Sequence, residues 1–412
     1  MTTENEGKRG PVTVVAIGAG NRLFKYLHYI LANPDKVRLV GVVEINPLRR
    51  EKVCEMAHLT PDDCYEDYHE FFAGDRKADA VMICTPEHVH FDPCMMAMAK
   101  GYDVMLEKPI ARTPEECAGL AAAARRYGVR VAVCHVLRHH PYFSKIKELV
   151  DNGGLGDIVS VTHRSPVGLD RGTHGFVRGL WNRSDRSNPI ILSKCCHDVD
   201  FIVWLTGARC RSLASYGALS VFRAENAPAG SSDRCINCSV EKSCPFSAVD
   251  LYKVRREWIN NFDVPEGETI DAVIDRELRE GQYGRCVYRC DNNVADHQVV
   301  AMLMDNGVTV NLSMDVFTLR DYRETHIYMT NGEIHGDETK IEVTRFRPRV
   351  TECYDFSELN GQPYHAGADL RMVEDFVLSL RDPGRLPITS IDDVVESHRI
   401  CFMAEDSRLK HS

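Results

Sequence analysis

Over about its first 135 residues the chain alternates strictly between two hydrophobic rhythms, and this limits its fold more than any other feature. Residues 12–17 form a continuous apolar run ending at Gly18, as in a strand buried on both faces. Residues 21–31 place Leu23, Leu27, Ile30 and Leu31 at helical spacing, and Asn33-Pro34 stops them. Apolar runs at 37–44, 80–84, 103–106 and 129–134 read as further strands. Between them, 91–100 and 114–126 read as helices, closed at Gly101 and near Gly128. Such alternation implies right-handed crossovers and predicts a parallel, doubly wound sheet.

After residue 137 the texture changes. Residues 158–163 alternate, and 213–222 read as a strand. Runs 297–304 and 308–316 are joined by Asn306-Gly307, and 325–330 and 333–334 by Asn331-Gly332, both strong hairpin signals. Residues 340–346 continue the set, and 369–380 and 391–409 read as closing helices packed at the domain junction. The expectation is an α/β Rossmann domain over 1–137, then an α+β domain over 138–412 with a large, mainly antiparallel sheet. A Cys-rich insertion falls at about 225–295 of the second domain.

Composition narrows the function classes. A chain of 412 residues exceeds one ordinary core, and 44% hydrophobic with 27% charged residues argues against large-scale disorder. The net charge of −10 argues against nucleic acid as the main partner. No stretch approaches the roughly 18 apolar residues of a membrane helix, and Met1–Glu6 lacks the basic start of a secretory signal. A soluble, cytoplasmic protein with reduced cysteines is therefore expected, and a homo-oligomer. Many of its 16 cysteines, Cys84 and Cys134 among them, read as small core residues, and a disulfide framework is the weaker reading.

Several motifs carry chemistry. Gly18-Ala19-Gly20-Asn21-Arg22-Leu23 joins the first strand to the first helix. Its two glycines allow a tight turn and a close approach of backbone N–H groups to a pyrophosphate, although Leu23 replaces the third glycine of the fingerprint. Glu44 ends the second strand 24 residues after Gly20, where a carboxylate accepts ribose hydroxyls and repels a 2′-phosphate. NAD is favoured on that ground, while Arg49 and Arg50 keep NADP open. Thr85-Pro86, with His90 beyond it, and Glu107-Lys108-Pro109 follow the third and fourth predicted strands, at the edge where such sheets bind ligands. A lysine there hydrogen-bonds a substrate hydroxyl and stabilises the oxyanion preceding hydride loss; alternatively it is a solvated loop residue. Ser193 to Asp200 opens a predicted helix with Lys194, His197 and Asp198 on one face, where His197 is either a general base or a structural histidine.

The glycine turn, Thr85-Pro86 with His90, Glu107-Lys108-Pro109 and the His197-Asp198 helix, in this order, resemble the Gfo/Idh/MocA oxidoreductases. The resemblance extends to Gly332–Asp337 and to Glu396-Ser397-His398. It implies NAD(P)-dependent hydride transfer at a hydroxyl-bearing carbon of a sugar, sugar acid or cyclitol, with Lys108 the catalytic lysine and His197 the proton-transferring histidine. The pattern departs at Ser193, where inositol dehydrogenases carry aspartate. Lys194 beside it is a candidate for gripping an acidic substrate group or tuning His197. Arg178 and Trp181, in the segment 174–183, and His365, in a stretch similar to a His-Gly-Gly-Gly-Asp element of some relatives, complete the substrate-binding candidates. Two other readings stand: a redox-neutral NAD-dependent glycosidase acting by transient oxidation and elimination, and a non-catalytic nucleotide-sensing regulator.

Cys235-x2-Cys238-x5-Cys244, with Cys286 and Cys290 beyond, is the remaining cluster. Four of these five thiols would suit a structural zinc stapling an insertion without its own core. Free thiols or a redox role are the alternatives.

Overall fold

The structure, a computed structural model, describes residues 10–411; the chain start read for an export signal lies outside them. The described residues fall into two compact units. One runs to Ser144 and takes up Leu359–His398; the other is Lys145–Glu358 with the residues from Arg399 on.

The first unit is built on β1 Val12–Ile17, β2 Val37–Val43, β3 Cys64–Tyr65, β4 Ala80–Ile83, β5 Asp103–Leu106 and β6 Val131–Val133. Their order is β3-β2-β1-β4-β5-β6, every pair parallel, with the strand order reversing between β1 and β4. The continuous apolar runs are explained by burial on both faces: Val14 to Ile17 and Ala80 to Ile83 are fully enclosed. Helix Asn21–Ala32 buries Leu23, Leu27 and Ile30 as its spacing predicts, but Leu31 is 41% exposed because the apolar stripe drifts off the buried face. Thr113 starts helix Pro114–Tyr127 by accepting the Glu116 N–H at 3.1 Å, and Gly128 ends it at a φ of 65°. Helix Ala368–Arg381 joins this unit and buries Met372, Val373, Phe376 and Val377.

The second unit carries β7 Ile158–Arg164, β8 Cys210–Ala218, β9 His297–Met304, β10 Thr309–Asp315, β11 Glu324–Met329, β12 Gly332–Gly336, β13 Lys340–Phe346 and β14 Arg349–Asp355. They form one sheet in the order β14-β13-β12-β11-β7-β10-β9-β8, antiparallel apart from the β7–β10 pair. Both Asn-Gly pairs lie at hairpins: at the first Gly307 has a φ of 91° and Asn306 Oδ1 accepts the Val308 N–H at 3.2 Å, whereas at the second the loop is Thr330-Asn331 and Gly332, already in β12, pairs with Met329.

Three expectations need correction. The predicted helix through 193–207 is broken: Ile190–Ser193 and Cys196–Thr206 are separate, with Lys194 and Cys195 between them. Cys54 and Cys64 form a disulfide, so not every thiol is free; the packing of helix Pro47–Ala57 beside β3 brings their Cα atoms within 6.9 Å. The Cys-rich insertion has a core of its own, made of Cys235, Ala248, Leu251, Tyr252, Ile274 and Leu278, because helix Ile270–Arg279 folds back onto its short turns. Among the described residues no helix is long and apolar enough to cross a membrane.

Candidate active site

The glycine turn sits at the carboxyl end of β1. Gly18 has a φ of 92°, and a Cβ there would lie 2.8 Å from the Thr85 backbone nitrogen, so the chain can pass the end of β4 only as glycine. Gly20 differs: its Cβ would meet nothing nearer than Cys84 O at 3.9 Å, which leaves open space beside the first helical turn. Gly20 is also the N-cap of helix Asn21–Ala32 and has no side chain of its own to cap the first turn. A cradle of this kind fits a pyrophosphate. Glu44, one residue beyond β2, is buried and turned towards the cradle; its carboxylate accepts the Ala19 N–H at 2.5 Å and the Asn46 N–H at 2.8 Å. The residues present thus fit a dinucleotide.

Around the turn lies a buried ion network. Arg22 Nε donates to Glu107 at 2.7 Å, and its Nη2 donates to the Tyr26 hydroxyl and to Asp369, each at 2.7 Å. Tyr26 also donates to Glu107. Burial alone would raise the Glu107 carboxyl; the Arg22 guanidinium and the Tyr26 hydroxyl instead hold it below the usual range. Glu107 Oε2 accepts the Lys108 N–H at 3.1 Å, so this carboxylate fixes the backbone that carries Lys108. His90 bridges Thr85 O and Pro109 O, at 2.8 Å from each, and the buried His398 accepts the Ile110 N–H at 2.9 Å. Asn21, Arg22, Thr85, Pro86, His90, Glu107 and Lys108 are thereby brought to one sheet edge, with Arg22, His90 and Glu107 fastened into the scaffold. His365 Nδ1 lies 2.8 Å from Asp369 and joins the same network, on a backbone whose φ at Tyr364, His365 and Ala366 is positive.

In the second unit, Asp198 is fully buried at the start of helix Cys196–Thr206, one residue after His197. It accepts Arg323 Nε at 2.6 Å and lies 3.1 Å from His163 Nε2. Against its burial, the Arg323 guanidinium and His163 hold its carboxyl far below the usual range. Lys194 is also buried, its ammonium donating to both Asp321 oxygens at 2.9 and 3.1 Å. Burial and the neighbouring Arg171 lower the Lys194 ammonium to about 8, against the pull of Asp321. Asp321, which also pairs with Arg171, falls to about 2 in spite of burial, because one carboxylate faces Lys194, Arg171 and Arg323. Arg178 does not join this cluster. Its guanidinium is buried and engaged by Arg285 O at 2.8 Å and Phe246 O at 2.6 Å, within the Cys-rich insertion. Trp181 is 38% exposed and packs over Gly175.

The model of the oxidoreductase family with an NAD-binding Rossmann fold, Gfo/Idh/MocA, matches residues 12–135. Residues 12–135 thus carry the NAD-binding Rossmann domain of the Gfo/Idh/MocA oxidoreductase family. It is 24% identical over 369 residues to the putative oxidoreductase YteT of Bacillus subtilis, covering 84% of this chain and 83% of that one. The D-glucoside 3-dehydrogenase of Escherichia coli is 36% identical over 163 residues, 38% of this chain and 43% of that protein, so the chain spans less than half of it. An oxidoreductase from Agrobacterium radiobacter, solved with NAD+, L-tartaric acid and magnesium, has the same fold at a TM-score of 0.71 and 15% identity, covering 97% of each chain.

The family motifs led to Lys108 and His197 but not to the residues that fix them. His398 and Asp369 lie in stretches of the resemblance without a role being read for them, while Tyr26 near Lys108, and His163, Arg171, Asp321 and Arg323 around Asp198 and Lys194, belong to no motif. Glu338, which accepts the Arg323 N–H at 2.6 Å, directly follows the Gly332–Asp337 stretch of the resemblance. Among the described residues no group of three or more His, Cys, Asp or Glu side chains is set out as a metal site. Cys235, Cys238, Cys244 and Cys286 nevertheless line one pocket; Cys290 is not among its lining residues and points its thiol at Cys286 O, 3.3 Å away.

Proposed function

We propose that this chain is an NAD-dependent dehydrogenase of the Gfo/Idh/MocA type that oxidises or reduces a ring hydroxyl of a sugar, sugar acid or cyclitol. The observation that carries the reading is Lys108 held at the carboxyl edge of the parallel sheet by a dedicated network. Glu107 takes its N–H, Arg22 and Tyr26 take Glu107, and His398 fixes Ile110. A lysine so placed beside a dinucleotide cradle has a positioned ammonium for an alkoxide.

Asn21 and Arg22, at a helix start whose N-cap is a glycine, receive the pyrophosphate. Glu44 presents its carboxylate to the adenosine ribose. Arg50, the nearby cation that would otherwise suit a 2′-phosphate, is held by Glu44 O at 2.6 Å and Glu66 at 2.8 Å, which supports NAD over NADP. When bound, the nicotinamide supplies the hydride chemistry. Lys108 hydrogen-bonds the substrate oxygen and stabilises its negative charge, and His197 removes or returns the hydroxyl proton. Asp198, locked by Arg323 and His163, keeps the first turn carrying His197 in place. The D-glucoside 3-dehydrogenase relative supports a secondary ring hydroxyl as the reacting group.

The test is a panel of polyols, aldonates, uronates and glycosides, followed at once for NADH and for released aglycone. Net NADH with intact glycoside supports the proposal; aglycone release without net NADH overturns it in favour of elimination chemistry.

A further inference from the structure

We propose that Cys235, Cys238, Cys244 and Cys286 bind one thiophilic divalent ion of the zinc class, with the buried Arg178 guanidinium as its counter-charge. The inference concerns the insertion alone and stands or falls apart from hydride transfer.

The four cysteines and Arg178 line one pocket. Its cavity is about 10 Å³, which admits roughly one water-sized atom and no organic ligand. Arg178 is 1% exposed. Its hydrogen-bond partners are two carbonyl oxygens, and Cys235 Sγ lies 3.7 Å from Nη2. Its Nη1 is buried and has no hydrogen-bond partner among the described residues. No carboxylate among them hydrogen-bonds this guanidinium: Glu241, which also lines the pocket, accepts the Ser247 hydroxyl instead, and a cation so buried is unfavourable unless a negative group compensates it. Four thiolates around a divalent ion carry a net charge of about −2, and so provide one beside the orphaned Nη1.

The local backbone suits this occupant. The Cys238 N–H closes the Cys235 turn on Cys235 O at 3.1 Å, the tight turn on which a Cys-x2-Cys pair shares an ion. The Cys286 N–H is held by Asp233 O at 2.8 Å, which ties the fourth cysteine to the strand of chain that leads into the first. The sulfurs do not meet at one point as the side chains stand. Cys238 and Cys244, both half-buried and each directly following a short 3-10 turn, are the two that the proposal requires to turn inward to close the set. Because the insertion has its own core, the ion is not its sole staple, so cysteine variants should remain folded.

The experiment is metal analysis of full-length protein purified without chelators, as wild type and as Cys238→Ser, Cys244→Ser and Cys290→Ser. About one zinc per chain is expected in wild type and Cys290→Ser, and roughly tenfold less in the other two. Cobalt substitution of the wild type, read by its thiolate charge-transfer absorption, guards against loss of ion through misfolding of a variant. Wild-type protein that neither contains zinc nor takes up added zinc or cobalt overturns the proposal. So does zinc retained by Cys238→Ser and Cys244→Ser but lost from Cys290→Ser.

Discussion

Lys108 has no chemistry of its own to distinguish it from any loop lysine; what distinguishes it is the set of residues beneath it. Glu107 stays ionised although buried, because Arg22 and Tyr26 outweigh its desolvation. Substituting Lys108 or His197 by Ala should lower kcat by about 10²–10⁴-fold while the Kd for NAD changes little, as fits loss of a charge-stabilising or proton-transferring group. Isothermal titration and steady-state kinetics check this, and full turnover in either variant contradicts the assignment. Asp198 gives a second residue-scale outcome. Its carboxyl is lower in the folded chain than the ordinary value of about 3.9, so its contribution is fully present above that value and disappears as pH falls through the folded one. Asp198→Asn removes it and leaves Arg323 buried without that carboxylate, a loss of about 3–5 kcal/mol at pH 7. Urea unfolding at pH 7 should show this gap between wild type and variant, and the gap should narrow only below about pH 4. A gap unchanged down to pH 3 would show that the carboxylate charge is not what the site requires.

At the scale of elements, the two glycines of one turn make a contrast. Gly18→Ala places a Cβ 2.8 Å from backbone at a φ of 92°, so the turn itself must shift, and a fall in Tm is expected. Gly20→Ala meets no protein atom within 3.9 Å; its Tm should hold while NAD affinity drops about tenfold or more, since the new methyl occupies the phosphate's approach. Equal effects in both variants would mean that the turn is only structural. The strands that carry these turns were legible in the sequence because both of their faces are buried, which produces unbroken apolar runs. β3 was not, being two half-buried residues long, and neither was β14, an edge strand whose residues are exposed or half-exposed and show no buried alternation. The broken helix around Lys194 also escaped the sequence, since residues 190–206 have a helical rhythm across a break that carries neither Gly nor Pro. His90 was legible as a site residue, but its role as a clamp between two loop carbonyls depends on the proximity of β4 and β5, which only the fold supplies.

At the scale of the whole molecule, the two sheet types could be read directly from the sequence, because period-two alternation and Asn-Gly turns begin where the buried runs stop. What could not be read is long-range: that 359–398 returns to the first compact unit, and that Asp369 lies on Arg22 across 347 residues of chain. Local pattern contains no record of such pairs. The Cys-rich insertion was visible by its spacing, but its independent core was not, since Leu251, Tyr252, Ile274 and Leu278 are scattered through short turns and one helix. The proposed reaction moves a hydride between NAD and a ring hydroxyl through Lys108 and His197. The most direct measurement is NADH formation by the purified wild type across the polyol, sugar-acid and glycoside panel, with the Lys108→Ala and His197→Ala variants alongside. NADH rising in step with one oxidised ring product, and at least about a hundredfold slower in both variants, is the predicted result. Equal NADH formation by wild type and variants, or none from any hydroxyl-bearing ring compound despite tight NAD binding, would contradict it.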